Sequence, residues 1–361
     1  MLSSWPADVR RARDLVLQHG WNATSYQIVN PGIRHWFSAA GDAVVGFVPY
    51  AGFRIVAGAP VCAHERLPEV VDEFEASAQK DSEHVCYFGA EARLDSTLQH
   101  SKSHSRALLG AQPAWNPSRW EAAVKRHSSL RAQLNRARNK SVTIVEYDAQ
   151  DAMISADLKR VLAAWLESRG LPPLHFLVEP ATLERLADRR IFVARHDDAA
   201  AEDHVVAFAV LSPVPARNGW LVEQFPRLPR APNGTVELLL SSAVGAIAES
   251  GSEYVTLGLA PLARRDSIGH WDEPRWLRAA LRFAAIHGNR FYNFKGLESF
   301  KSKFEPETWE PVYAIENSPR FSMKALYAIA GAFASRSPAR LVASAIARAA
   351  AQEIRWLRRG A

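Results

Sequence analysis

The chain has 361 residues, of which 48% are hydrophobic, 23% charged and 10% aromatic, a make-up that excludes a mostly disordered polypeptide. Its net charge of +6 is unevenly placed: from Ser318 to Ala361 eight basic residues accompany one acid, Glu353, so this segment carries +7 and residues 1–317 carry −1. Two cysteines, Cys62 and Cys86, are too few for a disulfide framework or a structural zinc site and point to a reducing, cytoplasmic compartment.

No uninterrupted apolar run reaches the roughly 18 residues of a membrane span, and Met1 to Arg13 lacks the apolar centre of a signal peptide. Asp8 to His19 is expected to be a helix, with Val9, Ala12, Leu15 and Val16 on one face and Gly20 at its end. Short strands follow at 35–37, 43–49 and 53–57, then a helix at 67–80 and a strand at 86–90. Residues 97–119, rich in Ser, Gly and Pro, read as turns. Trp120 to Asn139 reads as one long helix and Val142 to Tyr147 as a strand. The second half repeats this order: helices at 151–168 and 183–187, strands at 191–195, 205–212 and 219–224, a helix at 236–250, a strand at 254–257, a helix at 275–287 and a strand at 291–294. Antiparallel strands followed by a helix and a further strand, given twice, predict a mixed α/β (α+β) fold of two similar lobes. The boundaries are 1–140 for the first lobe, 141–317 for the second, and 318–361 for a basic helical tail.

Four segments carry chemistry. Within Ser128 to Lys140, Arg131, Asn135 and Arg138 share a helix face and no acid compensates them. This is either a solvated face or a phosphate contact, since arginine suits bidentate oxyanion binding. From Trp220 to Glu237 a strand runs through Glu223 into a proline-stiffened loop holding Arg227 and Arg230. Asn233 and Gly234 then open a helix with Glu237 in its first turn. A helix start offers free N–H groups to an anion or a developing oxyanion, and a plain capped helix is the alternative. From Phe291 to Pro311, Lys295, Lys301 and Lys303 lie among aromatics; Lys301 and Lys303 alternate with Phe300 and Phe304 as in an extended segment or tight turn, which favours a phosphate or carboxylate partner. In Pro338 to Arg359, Arg340, Arg348, Arg355 and Arg359 form one stripe and Val342, Ile346, Ala350, Ile354 and Leu357 the opposite one. This basic amphipathic helix is either docked on the body or laid on an anionic membrane surface. His100 and His104 lack a nearby acid, so no metal site is expected, and no nucleophile elbow, Walker loop, dinucleotide fingerprint or acetyl-CoA loop is present.

Taken together, Ala231-Pro232-Asn233-Gly234, Leu257-Gly258-Leu259-Ala260-Pro261-Leu262, Tyr292-Asn293-Phe294 with Gly296-Leu297, and Phe300-Lys301-Ser302-Lys303-Phe304 followed by Pro306 and Trp309-Glu310-Pro311 resemble the catalytic domain of bacterial phosphatidylglycerol lysyltransferases. The likeness runs from about Leu130 to Tyr313 and is looser before, mainly at Val56-Ala57-Gly58-Ala59-Pro60-Val61. It implies two fused acetyltransferase-like (GNAT) lobes and transfer of an amino acid from aminoacyl-tRNA to the glycerol head of phosphatidylglycerol. Two departures stand out. The family's large N-terminal membrane region has no counterpart, and where its members tend to show Asp with Arg three residues later, this chain has Glu223 and Pro226.

The resemblance implies a catalytic role for Glu223 as base or orienting group, with Asn233 and Gly234 at the oxyanion. Arg227, Arg230, Glu237, Lys301, Lys303, Arg131 and Arg138 would bind substrate. An aminoacyl ester is already activated, so no cofactor or metal is expected. The partners are an aminoacyl-tRNA donor and an anionic phospholipid acceptor, with peripheral contact to the inner membrane face through 338–359. An acyl-CoA-dependent N-acyltransferase and a non-catalytic membrane-surface module on the same fold are the alternatives.

Overall fold

The computed structural model describes residues 5–168, 175–178, 180, 182–197, 204–263, 274, 276–278 and 294–334. Among the described residues twelve strands form one sheet: β1 Arg34–Phe37, β2 Val44–Tyr50, β3 Phe53–Ala57, β4 His84–Ala90, β5 Ser105–Trp115, β6 Val142–Tyr147, β7 Arg190–His196, β8 Val205–Val214, β9 Gly219–Gln224, β10 Tyr254–Thr256, β11 Ala260–Pro261 and β12 Thr308–Glu316. Their order is β1-β2-β3-β4-β12-β5-β10-β9-β8-β7-β6, with β11 added against β5.

The two halves repeat one plan. In the first, β1, β2 and β3 pair antiparallel, the Leu67–Lys80 helix follows, and β4 returns parallel to β3. In the second, β7, β8 and β9 pair antiparallel, the Thr235–Glu249 helix follows, and β10 returns parallel to β9. The closing strands are exchanged. β12, from the second half, pairs antiparallel with β4, and β5, from the first half, pairs antiparallel with β10; β5 and β12 also pair with each other. The molecule is thus a tandem acetyltransferase-like fold whose lobes interlock through their last strands.

Burial explains why these segments become these elements. β8 is buried at every position, the pattern of a strand covered on both faces. The Thr235–Glu249 helix lies over it with Leu239, Leu240, Ala243, Val244 and Ile247 inside. In the first lobe the Ala7–His19 helix covers one face and the Leu67–Lys80 helix, through Val70, Val71 and Phe74, the other. The chain then returns: the Met323–Ala334 helix, inside the segment assigned to a tail, packs Ala325, Ala328 and Ile329 on the first lobe beside β2 and β3.

Several expectations are corrected. The stretch read as turns opens on the end of the Ala92–Leu98 helix and holds the eleven-residue β5. Pairing on both sides overrides the propensity of its Ser, Gly and Pro residues, and Gly110 is where β11 approaches: a Cβ there would lie 2.4 Å from the Ala260 carbonyl oxygen. The long helix breaks at His127 into Trp120–Arg126 and Ser128–Arg138. The helix expected at 151–168 breaks at Ser155, whose hydroxyl caps the Ala156–Glu167 helix by accepting from the Leu158 N–H at 3.3 Å. Residues 294–302 are helical rather than extended. The helix expected over 275–287 is described only at 276–278, the strand expected over 291–294 only at Phe294, where a helix starts, and the amphipathic helix at 338–359 lies outside the described residues.

Candidate active site

β9 and β10 run side by side only from Gly219 to Leu221, facing Tyr254 to Thr256. Beyond that point Val222 to Gln224 continue along β8, while β10 gives way to Leu257-Gly258-Leu259, with Gly258 at φ +70°. Parallel strands that part leave backbone groups in need of partners. Lys301, from the Phe294–Ser302 helix, supplies one: its ammonium donates to the carbonyls of Leu257 and Gly258 at 2.7 Å each and of Leu259 at 3.0 Å. Lys301 is buried, and burial pulls its pKa down to about 7, opposed by three carbonyls that match the three protons of the ammonium. The expectation that Lys301 meets a substrate phosphate therefore gives way: it pins the diverging strand. Lys303 is half exposed and pairs with Glu237 at 3.1 Å, so those two candidates meet each other.

Glu237 lies in the first turn of the Thr235–Glu249 helix, which begins at Gly234 with φ +89°. A Cβ on Gly234 would stand 2.0 Å from the Gln133 carbonyl oxygen, so glycine is required where this helix start meets the Ser128–Arg138 helix. Gly234 is thereby covered by backbone, while Asn233 is exposed. The preceding loop is laced to β8 by the bonds Phe208 N–H to Pro226 carbonyl, 3.0 Å, and Leu228 N–H to Val206 carbonyl, 2.8 Å. Leu228 and Ala231 point inward and Arg227 and Arg230 stay at the surface. On the neighbouring helix Leu130, Leu134 and Ala137 are buried and Arg131, Arg136 and Arg138 exposed; the Arg131 guanidinium also reaches the Lys125 carbonyl. The two arginine-bearing segments thus join at Gly234.

Glu223, on the last turn of β9 before the loop, faces an arginine that the sequence reading missed. Arg189 donates from Nε to Glu223 Oε1 at 2.6 Å and from Nη2 to Oε2 at 3.3 Å; the side chains are 0% and 8% exposed. Arg189 also donates to the Arg185 carbonyl at 2.5 Å and to Asn30 Oδ1 of the first lobe at 3.0 Å, and its guanidinium lies 4.9 Å from the Tyr26 ring centre. Nothing local could have paired 189 with 223 and 30, because Arg189 sits in a run, Asp188-Arg189-Arg190, that reads as surface charge.

A second buried cluster, also missed, lies where the exchanged strands cross. Arg217 donates to Glu310 of β12 at 2.9 Å and approaches Glu91 at 3.5 Å; Tyr254 and Gln112 donate to Glu310 at 3.0 and 3.1 Å, and Glu91 accepts from the Ala23 N–H at 2.7 Å. Burial pushes Glu91 up to about 7 despite Arg217. Burial also works against the charge of Glu310, but the bonds from Arg217, Gln112 and Tyr254 outweigh it and its pKa is lowered. These groups satisfy one another and tie the lobes together. No group of three or more His, Cys, Asp or Glu able to hold a metal ion occurs among the described residues. Among them, too, no helix is long and apolar enough to cross a membrane.

Residues 4–316 match the family model described as phosphatidylglycerol lysyltransferase, C-terminal. The Bacillus subtilis (strain 168) phosphatidylglycerol lysyltransferase is 27% identical over 314 residues, covering 85% of this chain and 35% of that protein. A Staphylococcus aureus (strain COL) protein of the same name is 25% identical over 316 residues, covering 86% of the chain and 36% of that protein. The chain therefore spans about a third of the length of the curated relatives it matches. Among solved structures, the C-terminal DUF2156 domain of a candidate lysylphosphatidylglycerol synthetase from Agrobacterium fabrum superposes with a TM-score of 0.75 at 24% identity, covering 90% of this chain and 96% of that one. L-PGS from Bacillus licheniformis superposes at 0.71 and 21%, covering 93% and 95%. With a family match across both interlocked lobes, the chain belongs to the phosphatidylglycerol lysyltransferase C-terminal family.

Proposed function

We propose that this chain transfers an amino acid from aminoacyl-tRNA to the head-group hydroxyl of a phosphatidylglycerol-type lipid. The observation that carries the reading is the family match over residues 4–316. The lipid hydroxyl oxygen bonds to the ester carbonyl carbon, the ester bond to the terminal ribose oxygen breaks, and the hydroxyl proton passes to that oxygen. One ester replaces another, so no external energy source is needed. Glu223 orients the hydroxyl and relays the proton, and Arg189 fixes the carboxylate for that task. Asn233 lies at the helix start, where free N–H groups stabilise the oxyanion, and Gly234 shapes that start. Arg227 and Arg230, with Arg131 and Arg138 on the adjoining helix, form a basic surface for the tRNA acceptor end. The Lys303–Glu237 pair lies beside it and opens when a phosphate takes the lysine. The basic segment 338–359 meets the inner membrane face.

Purified protein mixed with phosphatidylglycerol vesicles and labelled aminoacyl-tRNA is expected to yield labelled lipid, and ribonuclease is expected to abolish it. Equal transfer from an acyl-CoA without tRNA would overturn the reading.

A further inference from the structure

The contact between the lobes holds a polar pair that none of the roles above uses. The short 3-10 turn Ser25–Val29 of the first lobe lies against β8 of the second. There the Gln27 amide nitrogen donates to Ser212 Oγ at 3.1 Å, and just past the turn Asn30 Oδ1 accepts from Arg189 Nη2 at 3.0 Å. The other amide atoms, Gln27 Oε1 and Asn30 Nδ2, are two of four buried side-chain polar atoms without a partner among the described residues. Gln27 is 1% exposed and Asn30 3%. Buried amide atoms are rarely left unpaired.

The two residues are three apart across a 3-10 turn, a spacing that brings side chains to the same side. One free atom is an acceptor and the other a donor. A single atom that satisfies both must donate and accept at once, which a hydroxyl does and a carbonyl or an ammonium does not. Arg189 connects the pair to Glu223, because the same Nη2 that reaches Asn30 Oδ1 is 3.3 Å from Glu223 Oε2.

A cleft lies next to them in the chain, though neither residue lines it. Pro31 and Gly32, directly after Asn30, and Glu184, directly before the Arg185 whose guanidinium holds the Val29 carbonyl, line a cleft of about 460 Å³. Much of the remaining wall is apolar, including Val48, Tyr50 and Phe176, and among the described residues no lysine or arginine lines it. Such a wall suits the apolar part of an amphiphile and not a polyphosphate chain.

We propose that Gln27 and Asn30 recognise a hydroxyl of a glycerol-type lipid head group: Gln27 Oε1 accepts from it and Asn30 Nδ2 donates to it, while the apolar part of the lipid occupies the cleft. Transfer to the lipid held by that hydroxyl rests on the reading above; the binding of the hydroxyl does not.

The test compares binding of the full chain to vesicles of phosphatidylglycerol and of phosphatidylpropanol, which carries the same charge and no head-group hydroxyl, alongside transfer from labelled aminoacyl-tRNA. The wild type is expected to bind phosphatidylglycerol about tenfold tighter. Gln27→Met should erase that preference and raise KM for the lipid about tenfold with kcat nearly unchanged. Asn30→Asp keeps an acceptor for Arg189, exchanges the donor for a second acceptor and adds a charge, so it should lose the preference too, which covers the case in which Gln27→Met does not fold. A wild type without preference overturns the proposal. So does an unchanged preference in a folded Gln27→Met or Asn30→Asp variant, which leaves the pair to buried water, or a loss confined to tRNA binding. A hydroxyl preference that depends on these residues, in a protein that transfers nothing, upholds the subsite and sinks the transfer reading alone.

Discussion

Glu91 shows what burial does to a single residue. Its carboxyl accepts the Ala23 N–H and stands 3.5 Å from Arg217, yet its pKa is raised from 4.5 to about 7 because no water reaches it. A raised folded-state value means that the stabilisation is complete below about pH 4.5 and fades as pH climbs through 7. The loss amounts to about 3 kcal/mol by pH 8. Glu91→Gln mimics the protonated form, so its melting temperature should exceed that of the wild type at pH 8 and match it near pH 5. Parallel melting curves across that range would show that Arg217 keeps Glu91 ionised throughout. Lys301 poses the opposite case. Lys301→Ala strips the partner from three carbonyls where β9 and β10 part, and each orphaned buried group costs about 1–3 kcal/mol. A fall in melting temperature should accompany any loss of activity; lost turnover at unchanged stability would return Lys301 to the substrate.

Among elements, the helix pair that meets at Gly234 is the most demanding contact. Gly234→Ala brings a methyl group to 2.0 Å from a backbone oxygen at a left-handed φ, so the helices must separate, at a cost of about 4 kcal/mol or more. Chemical denaturation measures this directly, and a loss below 1 kcal/mol would mean that the two helices slide past each other freely. Asn233, Gly234 and Thr235 were readable in sequence as a helix start, and so was the helix of Arg131 and Arg138, because capping and periodicity are local. That the two touch was not. β8 and β9 were readable from unbroken apolar runs, and β3 and β6 from their alternation or length. β5 was hidden, since its Ser, Gly and Pro residues are tolerated only because β10 and β12 flank it. Glu223 was singled out through the family resemblance, whereas Arg189, Asn30 and Gln27 had no local signal: only the docking of one lobe on the other gathers them.

For the whole molecule, the charge split has a testable consequence. The Met323–Ala334 helix packs on the first lobe, so a cut before Pro338 spares every described contact while removing five of the eight basic residues after 317. The shortened chain should fold and no longer sediment with anionic vesicles, at about 1 kcal/mol of attraction per basic residue near the surface. Binding by the full chain should weaken with salt as the screening length drops from about 10 Å at 0.1 M to about 3 Å at 1 M. A truncated chain that aggregates, beside a full chain indifferent to vesicles, would make 338–359 part of the core.

The exchange of closing strands also governs the order of events on the ribosome. β4 and β5 are made early, but the space between them belongs to β12, so the first lobe has no finished sheet until residue 316 has cleared the exit tunnel. A domain at the front of a chain ordinarily folds while the rest is still being translated. Here both lobes must wait, and nascent chains halted near residue 300 should remain as open to protease over 84–115 as over the second lobe. The interlocking that makes the finished molecule one unit leaves both lobes open in the growing chain until β12 is made.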